Sequence, residues 1–167
     1  MDIHLEVYVV VLNIRRSKSP KYYKSCDAGY EQLLAHISPT IVQAADIILM
    51  LVHLLDHWAL LTCNLKEEMW YFYDFMPYPM HHSTLSSLQD ISKSLPTWLH
   101  SWDIKTVGEA PTQESGNDCG IFVLKYMKVI GITKSISWSS FKSWQKNAAK
   151  FRAEIAVEMI ELFCSKT

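Results

Sequence analysis

The stretch HWALLTCNLKEEMWYFYD, residues 57–74, decides the predicted fold because it has the pattern of one β-hairpin. Hydrophobic runs at residues 58–64 and 69–74 flank the short charged segment LKEE, which is typical of two strands joined by a tight turn. In an antiparallel hairpin the start of one strand lies beside the end of the other. We therefore expect His57 and Asp74 to be neighbours on one rim of a sheet.

The pattern around this hairpin predicts further strands and helices. Strands are expected at residues 7–12, 47–53 and 103–107. Helices are expected at residues 27–37, from 83 towards 102 with an interruption at Pro96, at 118–130 and at 141–163. Strands in the middle of the chain, with helices before and after them, predict a single α+β domain over residues 1–167.

Charge and hydropathy exclude two classes of partner. Sixteen basic and 17 acidic residues give a net charge of −1, whereas a broad nucleic-acid surface normally requires a basic excess. The longest apolar region, residues 47–61, contains His53, Asp56 and His57 and is too short and too polar to cross a membrane. The N-terminal apolar run lacks the flanks of a secretory signal. We expect no nucleic-acid and no membrane partner.

The cysteines and histidines predict no metal site and no cofactor. Four cysteines are widely spaced without a C-x-x-C pair, which indicates reduced thiols and an intracellular protein. His53 and His57 form H-x-x-x-H, but the sequence HLLDH lacks the glutamate that zinc peptidases place beside the first histidine. We therefore expect neither histidine to be a metal ligand.

The stretch QESGNDCGIFVLKYM, residues 113–127, places Cys119 where a polar loop becomes an apolar helix. The unpaired N–H groups and partial positive charge of a helix N-terminus stabilise a thiolate over a thiol. This matters because an ordinary thiol, with a pKa of about 8.5, is mostly protonated at neutral pH. A small buried cysteine that only packs is the alternative interpretation.

A nucleophilic cysteine needs a base, and the base needs an orienting group. His57 and Asp74, as expected neighbours, meet both needs because a carboxylate holds the imidazole in one tautomer and stabilises its charged form. Gln113, six residues before Cys119, supplies an amide N–H that a short loop could return to the thiol, and the backbone N–H of Cys119 would be a second oxyanion donor. Each residue alone is ordinary; their arrangement predicts a catalytic site.

Together, HWALLTCNLKEEMWYFYD and PTQESGNDCGIFVLKYM resemble the ubiquitin-like-protein-specific cysteine proteases, the SUMO-protease family. The shared features are HW at a strand start, an aspartate ending the next strand, a glutamine six residues before the cysteine, and DCG followed by two apolar residues. The resemblance implies a papain-like α+β fold with the triad in the order His, Asp, Cys. It also implies hydrolysis after the diglycine tail of a small modifier, either to mature it or to release it from lysine.

The resemblance assigns a role to each matching residue: His57 is the base, Asp74 its orienter, Cys119 the nucleophile and Gln113 an oxyanion donor. Trp58 matches the tryptophan that covers the narrow diglycine channel, where any Cβ would clash. The implied partners are a ubiquitin-like modifier, with SUMO favoured over ubiquitin or another modifier, and its conjugates. The implied location is the nucleus, the cytoplasm or both.

The resemblance is strongest over a catalytic core at residues 47–130, with 131–167 matching the C-terminal helix and 1–46 matching poorly. This is the pattern of a divergent or N-terminally shortened member. Phe75 stands where a small residue is common, and Ser115 where asparagine is common. The alternative hypothesis is a catalytically weak, protease-like module that binds a modifier or another protein.

Overall fold

The computed structural model describes residues 7–14, 45–54, 57–76, 102–114, 116–132, 138 and 143–165. The helices expected at residues 27–37 and from 83 towards 102 lie outside these ranges. No helix in the described part of the chain has the length and apolar character needed to cross a membrane.

The centre of the fold is a mixed sheet in which the strands follow one another in chain order. Strands β2, β3 and β4 form an antiparallel meander, while β1 joins β2 and β5 joins β4 in parallel. All the predicted strands are confirmed, with ends shifted by one or two residues. Their bounds are β1 Val7–Ile14, β2 Ile47–Leu54, β3 His57–Asn64, β4 Met69–Tyr73 and β5 Ile104–Thr106.

The turn between β3 and β4 explains the register of the predicted hairpin. The side-chain oxygen of Asn64 accepts hydrogen bonds from the backbone N–H groups of Lys66 (3.1 Å) and Glu67 (3.2 Å), which is how asparagine stabilises a turn. Glu68 closes the turn in the left-handed region with φ 53°. The ladder then runs from Asn64 opposite Met69 to Leu60 opposite Tyr73. The beginning of β3 and the end of β4 therefore lie at the same rim of the sheet.

Within the described residues, two helices follow the sheet. The first, α1 (Cys119–Ile132), confirms the helix predicted at residues 118–130. The second, α2 (Ala148–Cys164), is preceded by a 3₁₀ turn over Gln145–Asn147, so the prediction of a helix beginning at residue 141 was wrong. Ser143 has a left-handed φ of 68°, which an α-helix does not tolerate, and Trp144 turns into the core.

Helix α1 packs one face on the sheet. Its buried residues recur at helical spacing, and they share an apolar cluster with residues of β2, β3 and the aromatic segment after β4. Several aromatic rings join there at centroid distances of 4.6 to 6.3 Å, the range in which such pairs stabilise a core. The buried residues of α1 are Cys119, Phe122, Val123, Tyr126 and Ile130. Cys119 is therefore the first residue both of the helix and of its buried face.

Candidate active site

The structure brings His57 and Asp74 together at the rim of the sheet. His57 is the first residue of β3, and Asp74 directly follows β4, so the hairpin register places them side by side. The Nε2 atom of His57 lies 2.9 Å from Oδ1 of Asp74, and both side chains are only 9% exposed. Oδ1 also accepts the backbone N–H of Met76 at 2.9 Å, which fixes the carboxylate. Because the pair is shielded from water, its hydrogen bond is stronger than an exposed one.

Cys119 lies at the N-terminus of α1 and is 7% exposed. The Phe122 N–H donates to the Asp118 carbonyl at 3.0 Å, so the helical hydrogen-bonding pattern begins immediately before the cysteine. The first turn of α1 contains no acidic residue that would oppose a thiolate. The unpaired N–H groups of this turn therefore face the N-terminal end of α1, where Cys119 lies.

Gln113 is held close to the end of β4. Its backbone N–H donates to the carbonyl of Phe75 at 2.9 Å, and its side chain is buried, with the residue 8% exposed. Neither Nε2 nor Oε1 of its carboxamide has a hydrogen-bond partner among the described residues. A buried polar group without a partner costs about 1–3 kcal/mol. Such a cost is expected where a donor is reserved for a bound ligand.

Phe75 connects the His57–Asp74 pair to the helix that carries Cys119. It is fully buried, and its ring stands edge-on to His57 at 6.3 Å between centroids. The same ring packs against Phe122 at 6.1 Å and Tyr126 at 4.6 Å, which lie one and two turns beyond Cys119 on α1. The bulky residue that follows Asp74 is therefore part of the core between the sheet rim and the helix.

Trp58 stacks on His53, its direct partner across the β2–β3 ladder. Their ring centroids are 4.3 Å apart and the planes are inclined by 28°. His53 thus packs on the indole, while His57 lies against Asp74. In the described part of the chain, no three His, Cys, Asp or Glu side chains form a group that could hold a metal ion.

Two residues that the sequence patterns do not identify hold the residue before the cysteine. Asp118 is buried, and its Oδ2 accepts a hydrogen bond from Nε2 of Gln145 at 2.7 Å, while its Oδ1 pairs with Arg152. A buried carboxylate must be paired, so the burial of Asp118 requires partners such as these. No spacing rule identifies those partners, because they lie 27 and 34 residues further along the chain.

The other described cysteines differ from Cys119. Cys63 is fully buried in β3, and this burial raises the pKa of its thiol far above the ordinary value. It is therefore protonated and unreactive at neutral pH. Cys164 is exposed at the end of α2, and none of the three described cysteines is in a disulfide.

Solved structures with the same architecture identify the fold. A structure of the SUMO protease Ulp1, with its catalytic cysteine oxidized to a sulfenic acid, superposes with a TM-score of 0.53 at 23% identity, covering 87% of this chain and 66% of that one. The central domain of the uncharacterized Lpg1148 protein from Legionella pneumophila gives 0.55 at 21% identity, covering 94% and 89%. The predicted α+β, papain-like fold is thereby confirmed.

Curated relatives and a family model agree with this fold. The putative ubiquitin-like-specific protease 1B of Arabidopsis thaliana is 29% identical over 126 residues, covering 70% of this chain and 35% of its own length. Sentrin-specific protease 5 of Homo sapiens is 27% identical over 123 residues, covering 70% and 15%. The chain thus aligns with about a third or less of these relatives. The model of the Ulp1 protease family, C-terminal catalytic domain, matches residues 8–167. The chain belongs to the Ulp1 protease family.

Proposed function

We propose that the protein is a cysteine-type peptidase and isopeptidase that cleaves after the C-terminal diglycine of SUMO or a related ubiquitin-like modifier. The observation that carries the proposal is the buried hydrogen bond of 2.9 Å between His57 and Asp74, in a chain of the Ulp1 family. Cys119 at the start of α1 is the nucleophile. Residues 1–167 form one protease domain, with residues 47–130 as its catalytic core.

The proposed reaction uses the three side chains in turn. His57 takes the thiol proton, and the Cys119 thiolate attacks the carbonyl carbon of the modifier's terminal glycine, so that a C–S bond forms and the carbonyl oxygen becomes negative. The C–N bond then breaks, and the imidazolium gives its proton to the leaving amine. Water, deprotonated by His57, attacks the thioester and releases the modifier carboxylate and the thiolate. Asp74 stabilises the imidazolium in both steps.

Gln113 and the backbone N–H of Cys119 are the proposed donors to the oxyanion. A donor that is in place before the reaction costs no reorganisation when the charge develops. The buried carboxamide of Gln113, unpaired among the described residues, fits such a donor because the oxyanion would supply its missing partner. Its loop position is set by the hydrogen bond to the Phe75 carbonyl.

The proposed substrate is an extended diglycine tail that passes beneath Trp58. The indole is held flat against His53, and a fixed aromatic wall suits a channel that admits only residues without a Cβ. The partners are the modifier, with SUMO favoured, and its conjugates. Relatives named as sentrin-specific and ubiquitin-like-specific proteases support this choice. Widely spaced cysteines without a C-x-x-C pair support a protein that acts in the nucleus, the cytoplasm or both.

The test is intact-mass analysis after incubation with SUMO and, in parallel, ubiquitin, each carrying a thiol-reactive warhead in place of its C-terminal glycine. We expect one adduct, formed with SUMO, that is lost in Cys119→Ala and retained in Cys164→Ala, which removes the exposed thiol. Circular dichroism checks that each variant is folded.

Absence of an adduct with either modifier, from folded protein, would overturn the protease proposal. Binding of unmodified SUMO under those conditions would instead support the alternative of a protease-like binding module. An adduct with ubiquitin alone would retain the chemistry and change the substrate.

A further inference from the structure

One side chain outside the proposed triad contacts both sides of the segment between Gln113 and Cys119. The Gln145 carboxamide accepts the backbone N–H of Glu114 through Oε1 at 2.9 Å, and donates from Nε2 to Oδ2 of Asp118 at 2.7 Å. Glu114 directly follows Gln113, and Asp118 directly precedes Cys119. Gln113, Glu114, Asp118 and Cys119 are called the nucleophile loop below. A single planar amide thus links its two ends.

The Asp118 end of this link is anchored by several partners. The Asp118 carboxylate is 4% exposed, and it is held by Arg152 of α2 as well as by Gln145. Its backbone carbonyl accepts the Phe122 N–H, the hydrogen bond with which α1 begins. A displacement of Asp118 therefore displaces the start of α1, and with it both the thiol and the backbone N–H of Cys119.

The Gln113 end has its own anchors. The Gln113 N–H is bound to the Phe75 carbonyl, and the Tyr126 hydroxyl donates to the carbonyl of Pro111. These two hydrogen bonds tie this end to the segment after β4 and to α1, but neither of them reaches Asp118. The hydrogen bonds of Gln145, by contrast, join the two ends through one side chain.

We propose that Gln145 is a positioning residue that sets the distance between the Gln113 amide and the Cys119 thiol. The inference rests on the function proposed above and names a residue that touches neither substrate nor triad. Oxyanion donors act at about 2.7–3.1 Å from the developing charge. A displacement of about 1 Å costs on the order of 100-fold in rate, so a side chain that fixes both ends of the loop controls turnover.

The test compares two variants by hydrolysis of SUMO carrying a C-terminal aminomethylcoumarin amide. Gln145→Met retains length and removes both hydrogen bonds. Gln145→Glu retains an acceptor for the Glu114 N–H but faces the Asp118 carboxylate with a second negative charge. We expect kcat to fall roughly 10- to 100-fold in Gln145→Met and at least as far in Gln145→Glu, with KM within about threefold of wild type.

Two measurements separate positioning from general damage. Rates are normalised to the fraction of enzyme that forms the SUMO warhead adduct, so unfolded protein does not count. Alkylation of Cys119 by iodoacetamide, followed by peptide mapping across pH, involves no oxyanion. We expect its rate and pH profile to stay within about twofold of wild type, because the thiolate and its base remain. Lys146→Met is the matched control in the same 3₁₀ turn, since Lys146 is exposed.

Each outcome decides the inference. If the wild-type protein is active, an unchanged kcat in Gln145→Met would overturn the role of Gln145. An alkylation rate that falls in parallel with kcat would also overturn it. Should Gln145→Met fail to fold, Gln145→Glu carries the same test. Absence of turnover in wild type, by contrast, is the failure of the proposed function and not of the role of Gln145.

Discussion

The two halves of the proposed site are held in different ways. His57 and Asp74 are placed by a β-hairpin, whose backbone ladder and four-residue turn fix which strand ends meet. The nucleophile loop is placed by side chains, chiefly Gln145 and Arg152, that come from the C-terminal part of the chain. The first half is therefore local in sequence, and the second depends on tertiary packing.

This difference shows which substitutions each half tolerates. A ladder of backbone hydrogen bonds is insensitive to most side-chain substitutions that leave the strand pattern intact, so the relative placement of His57 and Asp74 should survive most substitutions elsewhere in the hairpin. The nucleophile loop has no ladder, so replacing any side chain that holds it allows the loop to move. The predictions below break the first half, then the connection between the halves, and then an ion pair remote from both.

The largest effect is expected from Asp74→Asn. The substitution keeps the size of the side chain and removes the negative charge that stabilises the His57 imidazolium, so kcat should fall roughly 10³- to 10⁴-fold. Turnover of the SUMO coumarin amide measures this effect, and thermal unfolding checks that the hairpin survives. Activity within tenfold of wild type would show that the hydrogen bond between the two residues is structural only.

A smaller effect, measured as stability and not as turnover, is expected when the connection between the halves is removed by Phe75→Ala. Phe75 is fully buried between His57 and the α1 aromatics, and truncation of such a residue lowers the free energy of unfolding by about 3–5 kcal/mol. Urea denaturation measures the change. Phe75→Leu, which fills most of the volume, is the control and should lose less than half as much. Equal losses in the two variants would mean that ring packing against His57 and α1 is unimportant.

The smallest effect is expected at the ion pair between α1 and α2. The hydrogen bond from Lys125, at 2.6 Å, holds the pKa of the Glu154 carboxyl below its ordinary value. A group with a lowered pKa in the folded state stabilises the protein above its unfolded pKa of about 4.3, and this contribution is lost as the pH falls through the folded value. Because Glu154 is about one-third exposed and solvent screens the pair, Glu154→Gln should lower Tm by at most about 3 °C at pH 7.

The Tm difference between this variant and wild type should be smaller at pH 3 than at pH 7, because the contribution of the ionised carboxyl decreases as the pH falls towards its lowered folded pKa. Glu161→Gln, also exposed on α2, is the control and should behave like wild type at both pH values. A Tm difference between Glu154→Gln and wild type that grows on acidification would contradict the sign of this linkage.

The sequence predicted the parts of the fold and of the site that depend on local patterns. Hydrophobic runs and the LKEE turn were sufficient to predict the meander and the proximity of His57 and Asp74, because both depend on neighbouring residues. The start of α1 was predicted from the DCG junction. The start of α2 was not, because neither the left-handed φ of Ser143 nor the burial of Trp144 follows from a local sequence pattern. The hydrogen bonds of Gln145 and Arg152 to Asp118 were not predicted either, because they join residues that are far apart in the sequence.

The unequal lengths of the connections between strands imply an order of folding. Only residues 55–56 and 65–68 separate the strands of the meander, whereas residues 15–46 and 74–103 separate the parallel outer strands β1 and β5 from their partners. Short antiparallel connections close with the least entropy loss, so β2, β3 and β4 associate first and the outer strands add later.

During synthesis, this order would separate the assembly of the proposed base from that of the proposed nucleophile. His57 and Asp74 belong to the early meander, but the loop of Cys119 is complete only when Gln145 and Arg152, near the C-terminal end of the described chain, have been made and docked. A nascent or partly folded chain would therefore carry the Cys119 thiol without the contacts that hold its loop, and the proposed proteolytic activity would begin only when α2 is in place.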